Sequence, residues 1–327
     1  MAKRSNPESR LEAFINASEA VRGDELVALV RKALAEQYYR LVSKAAQLAS
    51  DQLLYVLEAD LIAAYQRHLD NATKKDPQCI AKAAIVRALV ALDCQDVKFF
   101  LAGMRYRQLE PNWGGALDTA VDLRISSAMG LVGTAYHRAA NEVVELMQDS
   151  EAHVRAGAIR AMACVQADRA EPVLRLKVLM GDTEPEVTGE CFSALLSLDA
   201  EETTKFVARY LHGENADVRN YAALALGESR EPEALNALLS AFEQPYVERD
   251  FRRILIRAIT LQRNDEAFDW LSQLLSKTDI ATGRMIVEEL AVYRENAKLR
   301  QRIEEVVDAR GERTLSSTFL DYWPHFE

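Results

Sequence analysis

A pattern that recurs about every 32 residues through the second half of the chain constrains the fold more than any other sequence feature. The segments that begin at Asp122, His153 and Asp217 align without gaps, and those at Glu186 and Asp250 follow the same template. Successive copies are 31 to 33 residues apart. A steady period of this length indicates stacked supersecondary units, each packed against its neighbours, rather than one globular core.

Each copy contains two segments with helical character. An acidic or polar turn precedes the first, as at Asp149, Asp182 and Glu214, and such residues cap helix N-termini. In the second, apolar residues recur at i, i+3, i+4 and i+7, as in residues 141–147 and 233–239, which predicts one buried stripe. Small residues in the first segment predict close approach of a neighbouring helix. Helix stops are predicted at three glycines, Gly181, Gly213 and Gly227.

The N-terminal third repeats less regularly, although small-residue segments at 42–48 and 80–86 lie 38 residues apart. Helical partners are predicted at 52–68 and 96–107. Hydrophobic residues make up 49% of the chain and aromatic residues 7%, a balance that favours helices over strands. The sequence therefore predicts an all-α protein, an α-solenoid of about eight helix pairs.

The segment from Asp217 to Gly227 reads Asp-Val-Arg-Asn-Tyr-Ala-Ala-Leu-Ala-Leu-Gly. It resembles the HEAT-like repeat of the phycobilisome-lyase type, and the resemblance covers residues 118–310 well and 38–107 weakly. It implies HEAT-like helix pairs in a superhelix whose concave face is lined by second helices. It does not imply lyase activity, because unrelated enzymes, adaptors and scaffolds share the repeat.

The repeat is interrupted once, because the step from the unit near Ile80 to the unit at Arg124 is about 43 residues. We therefore divide the chain into four parts: irregular HEAT-like helix pairs at 1–107, an inserted loop at 108–118, regular repeats at 119–310 and an aromatic C-terminal tail at 311–327. Insertions in solenoids map to loops on one face. A function-specific element is expected where the regularity fails.

The insertion supplies the first candidate site for a partner. Pro111 ends a helix and Gly114 with Gly115 permits a sharp turn, so Trp113 is predicted on a loop. A tryptophan near arginine and tyrosine has the composition of an interface hot spot. The alternative is that Trp113 folds back and seals the junction between two units. The candidate partner-binding residues here are Arg105, Tyr106, Arg107 and Trp113.

The arginines Arg249, Arg253 and Arg257 supply the second candidate, since steps of four place them on one helix face. The acidic neighbours Glu248 and Asp250 favour a solvated or internally paired face over a phosphate-binding one. A related expectation concerns the arginine that recurs in the repeat. Each such arginine is predicted to reach the acidic turn of the adjoining unit, which would fix the stagger between repeats.

The C-terminal tail supplies the third candidate. Phe319, Tyr322, Trp323 and Phe326 lie within eight residues, and Tyr322 and Trp323 are candidate partner-binding residues. A solenoid needs its last apolar flank covered, so the tail is predicted to cap the final helix pair. The alternative is a linear peptide that docks into another protein or a sister subunit.

Several classes of site are disfavoured. The net charge of −10 and pI of about 5.2 argue against nucleic acid as the partner. The five histidines lack matching carboxylates and are predicted at the surface or at helix ends, so we expect no metal. The four cysteines are predicted to be small buried hydrophobes. We expect no cofactor and no catalytic residues, since phosphate-loop and nucleophile-elbow patterns are missing.

A polar N-terminus and the lack of any run of about 18 apolar residues predict a cytoplasmic protein without a membrane partner. Together, these features predict a non-enzymatic scaffold or adaptor that presents a concave helical surface to another protein. The alternative is a HEAT-like enzyme or enzyme subunit, either bilin-lyase-like or of the nucleic-acid-binding repair type. The sequence does not identify the partner.

Overall fold

The computed structural model describes residues 6–324 of the chain. They form α-helices, short 3-10 helices and a β-hairpin, in two compact units that comprise residues 6–170 and 171–324. Helix α11 (Ala167–Met180) contains the boundary. Within the described range, no helix is both long and apolar enough to span a membrane.

The first unit consists of ten helices, the beginning of α11 and a hairpin between α7 and α8. Their bounds are α1 Pro7–Ala20, α2 Gly23–Leu34, α3 Tyr39–Asp51, α4 Glu58–Leu69, α5 Ala72–Lys75, α6 Ile80–Ala91, α7 Val97–Met104, β1 Leu109–Asn112, β2 Gly115–Asp118, α8 Val121–Gly133, α9 Ala139–Leu146 and α10 Ala152–Met162. Helices α3, α6, α8 and α10 pack side by side in one layer, and α4, α7 and α9 pack on that layer. Alternating layers of this kind bury the apolar stripe of every helix.

The second unit repeats the arrangement. Its helices are α12 Pro185–Leu198, α13 Ala200–Ala208, α14 Ala216–Ser229, α15 Pro232–Phe242, α16 Arg249–Leu261, α17 Asp265–Lys277, α18 Ile280–Leu290, α19 Ala297–Arg310 and α20 Arg313–Tyr322. Helices α12, α14, α16, α18 and α20 form one layer, while α13 packs on α15 and α17 on α19. The predicted all-α solenoid is confirmed. Without the one-turn helix α5, the described residues give nine helix pairs in chain order and one final helix, against the predicted eight or so.

Asparagine and aspartate side chains fix where several helices begin. The side chains of Asn215, Asn264 and Asn296 each accept a hydrogen bond from the N–H three residues further on, at 3.1, 2.8 and 3.2 Å. Asp279 does the same at 3.0 Å. These bonds satisfy N–H groups that have no partner inside the helix. Asn215 confirms the predicted cap in the turn at Glu214, whereas Asp149 and Asp182 accept from the N–H groups of Glu151 and Glu184, which precede their helices.

The predicted helix stop at Gly227 is wrong, because Gly227 lies inside α14. A Cβ atom at Gly227 would collide with the backbone of Ala258 on α16. Glycine is needed here for the close approach of two helices, as small residues in the first helices were predicted to allow. The stop at Gly181 is confirmed by its left-handed backbone, with φ of +73°.

The expectations for cysteine and histidine hold only in part. Cys79, Cys94 and Cys191 are buried as predicted, but Cys164 is exposed, since it lies just beyond the end of α10. His68 is buried but lies in the last turn of α4, a helix end as predicted, and its Nδ1 lies 2.9 Å from the carbonyl oxygen of Ala64 one turn earlier. His325 lies outside the described residues.

Candidate functional site

Residues 109–118, named here the Trp113 hairpin, form an antiparallel two-stranded ribbon between α7 and α8. The pairs run from Leu109 with Asp118 to Asn112 with Gly115, so Trp113 and Gly114 make a two-residue turn. Gly114 has φ of +101°, a backbone region that favours glycine. The insertion was predicted as a loop because Pro111 was expected to end a helix and Gly114 with Gly115 to allow a sharp turn. The turn is observed, but α7 already ends at Met104 and Pro111 lies in a strand.

The Trp113 hairpin carries exposed apolar side chains at its tip and along both strands. The Trp113 side chain is 102% exposed, which means that the rest of the chain does not cover it. Leu109 and Leu117 are exposed by 60% and 51%. The alternative in which Trp113 seals a junction between units is therefore wrong.

Four charged side chains at the base of the hairpin, Arg107, Asp118, Arg124 and Asp149, form what we call the anchor network. Asp118 accepts hydrogen bonds from Arg124 Nη1 at 2.7 Å and Arg107 Nη1 at 3.2 Å. Asp149, in the turn before α10, accepts one from Arg107 Nη2 at 2.8 Å and lies 3.2 Å from Arg124 Nε. The side chains of Asp118, Arg124 and Asp149 are at most 5% exposed.

Glu110 forms a second attachment between the hairpin and the helices. Its Oε1 accepts hydrogen bonds from the N–H of Gln78 at 2.6 Å, from Gln108 Nε2 at 2.7 Å and from Thr119 Oγ1 at 3.1 Å. Gln108 Nε2 also donates to the carbonyl oxygen of Asp76 at 2.8 Å. The base of the ribbon is thus fixed by several side chains, while its tip is free. Sequence reasoning missed Glu110 and Asp118 as anchors.

The two carboxylates of the anchor network are held in their charged form. Burial has the largest effect on the pKa of Asp118 and raises it, but two backbone N–H groups and Arg124 together lower it further than burial raises it. The pKa of Asp149 is likewise raised by burial and lowered more strongly by Arg107, a backbone N–H and Arg124. Both pKa values end below their usual range.

We expect Asp149→Asn to destabilise the folded chain at neutral pH and to lose this effect in acid. Because the pKa is lower in the folded chain, the stabilisation by Asp149 is full above the unfolded aspartate value of about 3.9. It disappears as the pH falls from there toward the lower folded value. Urea unfolding of both proteins at neutral pH and near pH 3 measures the difference. An equal difference at both pH values would contradict the network.

All three candidate residues before the hairpin, Arg105, Tyr106 and Arg107, have partners within the fold. Arg105 pairs with Glu142 at 2.7 Å on the surface, and Arg107 belongs to the anchor network. Tyr106 donates to Gln108 Oε1 at 3.0 Å, and its burial raises its pKa to about 12. Of the four candidates in the insertion, Trp113 alone is wholly exposed, and Arg107 serves as an anchor rather than a free contact.

The arginines of α16 are mostly paired with acidic residues. Arg253 Nη2 lies 2.8 Å from Glu288, and Arg257 Nε lies 2.9 Å from Glu289, both on α18. Arg249 is exposed in the first turn of α16. The internally paired face predicted as the favoured alternative is therefore the one observed for Arg253 and Arg257.

The predicted contacts between units by the recurring arginine are observed for Arg124 and Arg219. Arg124 reaches Asp149, and Arg219 Nη2 lies 2.8 Å from Glu248, in each case at the turn that precedes the next unit. Arg252 instead lies over the ring of Phe242 at 5.6 Å. The prediction is thus confirmed where the following turn places a carboxylate within reach.

The residues predicted as an aromatic tail form helix α20 up to Tyr322. Trp323 is fully buried, stacks on Phe319 with centroids 5.6 Å apart, and donates from Nε1 to the carbonyl oxygen of Val287 at 3.0 Å. Trp323 therefore covers the end of the second unit and is not available to a partner. Tyr322 is 45% exposed, and Phe326 lies outside the described residues.

One cleft combines several polar groups away from the hairpin. It has a volume of about 370 Å³ in the first unit and is lined in part by Tyr136, His137, Cys164 and Arg169. Arg169 Nη1 donates to the carbonyl oxygen of His137 at 3.3 Å. Among residues 6–324, no three His, Cys, Asp or Glu side chains are grouped closely enough to hold a metal ion.

Comparison with known proteins gives one family match. Residues 172–250 match the family described as HEAT repeats. No curated protein sequence is significantly similar to the chain.

Solved structures give only distant similarities. One chain in the complex of CpcE and CpcF of phycocyanin lyase from Nostoc is 14% identical to this chain, over 73% of this chain and 89% of its own length, with a TM-score of 0.36. A Kap121p mutant is 13% identical over 98% of this chain and 40% of its own chain, with a TM-score of 0.49. Human deoxyhypusine hydroxylase is 17% identical over 80% of this chain and 92% of its own chain, with a TM-score of 0.32. Similarities this distant carry no argument about activity.

Proposed function

We propose that this chain, which is a HEAT-repeat protein, is a non-enzymatic scaffold that binds a partner protein through its Trp113 hairpin. The observation that carries the proposal is the full exposure of Trp113 at the tip of a ribbon whose base is fixed. Burying a large apolar side chain stabilises a fold by about 1.5–3 kcal/mol. In the isolated chain Trp113 contributes no such stabilisation, whereas a complex that covers the indole ring would gain it.

The rigidity of the base supports this proposal. Two-stranded ribbons are marginally stable alone in water, and here the anchor network and Glu110 fix both strands to the helices. A partner would therefore meet a side chain that is already positioned, and binding would cost little ordering of the backbone. Tryptophan is also enriched among the residues that dominate binding energy.

The chemistry of the tip favours binding over catalysis. Residues 111–117 read Pro-Asn-Trp-Gly-Gly-Ala-Leu, which contains no side chain that ionises or acts as a nucleophile. An acid or base needs a titratable group within hydrogen-bond reach of the reacting atom. The exposed surface of the hairpin can supply apolar contact and backbone hydrogen bonds.

Trp113→Ala tests the proposal. Because Trp113 contacts little of its own chain, the variant should melt within about 1 °C of the wild type, since its surface position is worth little to stability. A partner captured from native lysate by the wild type should be bound at least tenfold more weakly, as for a hot-spot truncation of 2 kcal/mol or more. Capture and titration with the purified partner give both values.

Tyr246→Ala is the matched control, since Tyr246 is an aromatic residue that is 97% exposed and belongs to the second unit rather than to the hairpin. It should leave capture unchanged. Equal capture by the wild type and Trp113→Ala would sink the proposal. A loss shared by both variants would show that exposed aromatics bind without specificity, and would count against the hairpin as well.

A further inference from the structure

The hydrogen bonding of the Trp113 hairpin alternates along its strands. The N–H of Thr119 donates to the carbonyl oxygen of Gln108 at 2.9 Å, and the same parity makes Glu110 with Leu117 a hydrogen-bonded pair. The alternating pairs, Leu109 with Asp118 and Pro111 with Ala116, are then not hydrogen-bonded to each other. The backbone groups of such a pair point away from the ribbon, toward its two outer edges.

The two outer edges therefore differ in what they offer. On β1 the outward positions are Leu109 and Pro111, and Pro111 has no N–H, which blocks strand pairing near the tip. On β2 the outward positions are Ala116 and Asp118; Ala116 is exposed and has both an N–H and a carbonyl oxygen, whereas Asp118 is buried. Near the tip, the edge of β1 is therefore closed to a further strand and the edge of β2 is open.

A partner that buries Trp113 also affects the backbone groups at the open edge of β2. A partner that covers Trp113 and Leu117, which lie on either side of Ala116, also removes water from the backbone of Ala116. A buried N–H or carbonyl oxygen without a partner costs about 1–3 kcal/mol. An α-helix satisfies its own backbone groups internally and cannot pair with the edge, whereas an extended strand supplies one acceptor and one donor.

We infer that the partner protein contributes an extended, uncharged apolar segment that joins β2 as a third strand at Ala116, beside Trp113. The absence of charged residues from 111 to 117 favours an uncharged segment, because a charge there would be desolvated without a counter-charge. The inference rests on the proposed function and specifies the kind of partner that the hairpin takes.

The probe for the test is a displayed library of linear random peptides, selected on the full chain. Peptides are kept if they bind the wild type and lose binding to Trp113→Ala. Their affinities are then measured for Ala116→Pro and for Ala116→Thr. Proline removes the outward N–H without breaking a bond inside the ribbon, as Pro111 does on the opposite strand, and threonine keeps the N–H.

We expect Ala116→Pro to weaken these peptides by about tenfold or more and Ala116→Thr by about threefold or less. Hydrogen exchange gives an independent measurement on the unaltered chain. The amide of Ala116, which is exposed in the free protein, should exchange more slowly once peptide is bound, whereas contact with side chains alone would leave it fast. Melting temperatures of both variants confirm that the fold is intact.

Failure of this inference can be distinguished from failure of the proposed function. If Trp113-dependent peptides bind Ala116→Pro as well as wild type and the Ala116 amide stays fast, strand addition is wrong and hairpin binding stands. If no Trp113-dependent peptide is selected, both are wrong. A wild-type dimer that Ala116→Pro converts to monomer would overturn the inference by making a second copy the occupant.

Discussion

Lys82→Met is expected to destabilise the first unit by about 3–5 kcal/mol, because it leaves a buried carboxylate without its cation. Lys82 and Asp76 have side chains that are 0% exposed, and Nζ lies 2.7 Å from Oδ2. Lys82 Nζ also donates to the carbonyl oxygen of His68 at 3.3 Å. Because methionine preserves most of the side-chain volume, the loss of stability measures the removal of the charge rather than the creation of a cavity.

Urea unfolding followed by circular dichroism measures this effect, with Lys75→Met as the matched control. Lys75 is 39% exposed and lies 3.7 Å from the exposed Asp70, so its pair should contribute less than about 1 kcal/mol. The double variant Asp76→Asn with Lys82→Met removes both charges and should recover part of the loss. A Lys82→Met effect no larger than that of the control would show that the pair does not stabilise the unit.

Trp323→Ala is expected to destabilise the second unit by about 3–5 kcal/mol, the usual range for removing a buried tryptophan. Trp323 is 0% exposed, stacks on Phe319 and hydrogen-bonds Val287 on α18. Its removal leaves a cavity between α18 and α20 and an unsatisfied carbonyl group. Helix α20, the last helix in the layer of α12, α14, α16 and α18, would then be held less firmly against α18.

Tyr322→Ala is the matched control for Trp323, since the two residues are adjacent but Tyr322 is 45% exposed. It should cost at most about 1 kcal/mol. Thermal melting compares the two variants. If Trp323→Ala melted with the wild type while weakening capture of a partner, the tail would be a recognition element and the capping role would be wrong.

Much of the architecture was predictable because it depends on local pattern. The interval of 31 to 33 residues, the polar caps and the apolar stripes are each properties of short segments, and they predicted the helix pairs from α8 onward. The first two helices were not recognised, since residues 7–34 carry no copy of the repeat pattern. The sequence also located the irregular segment and its tryptophan.

The candidate site itself was predictable only as a composition. That Trp113 is exposed and Trp323 buried could not be read from their sequence neighbours, which left both a structural role and a recognition role open for each tryptophan. The difference arises from α18, which lies against Trp323, and from the ribbon, which holds Trp113 away from the helices. Likewise, Arg107 and Arg105 are neighbours in sequence, yet Arg107 alone reaches the buried Asp149, 42 residues away.

The sequence by itself therefore determined the repeating helix pair, the caps that start the helices and the position where the repeat is interrupted. The tertiary structure decided the hairpin, the anchor network at its base, and which exposed residues are free. Periodicity and capping depend on residues within a few positions of one another, so they can be read along the chain. Burial and ion pairing depend on residues from distant segments, and these meet only when the units have packed.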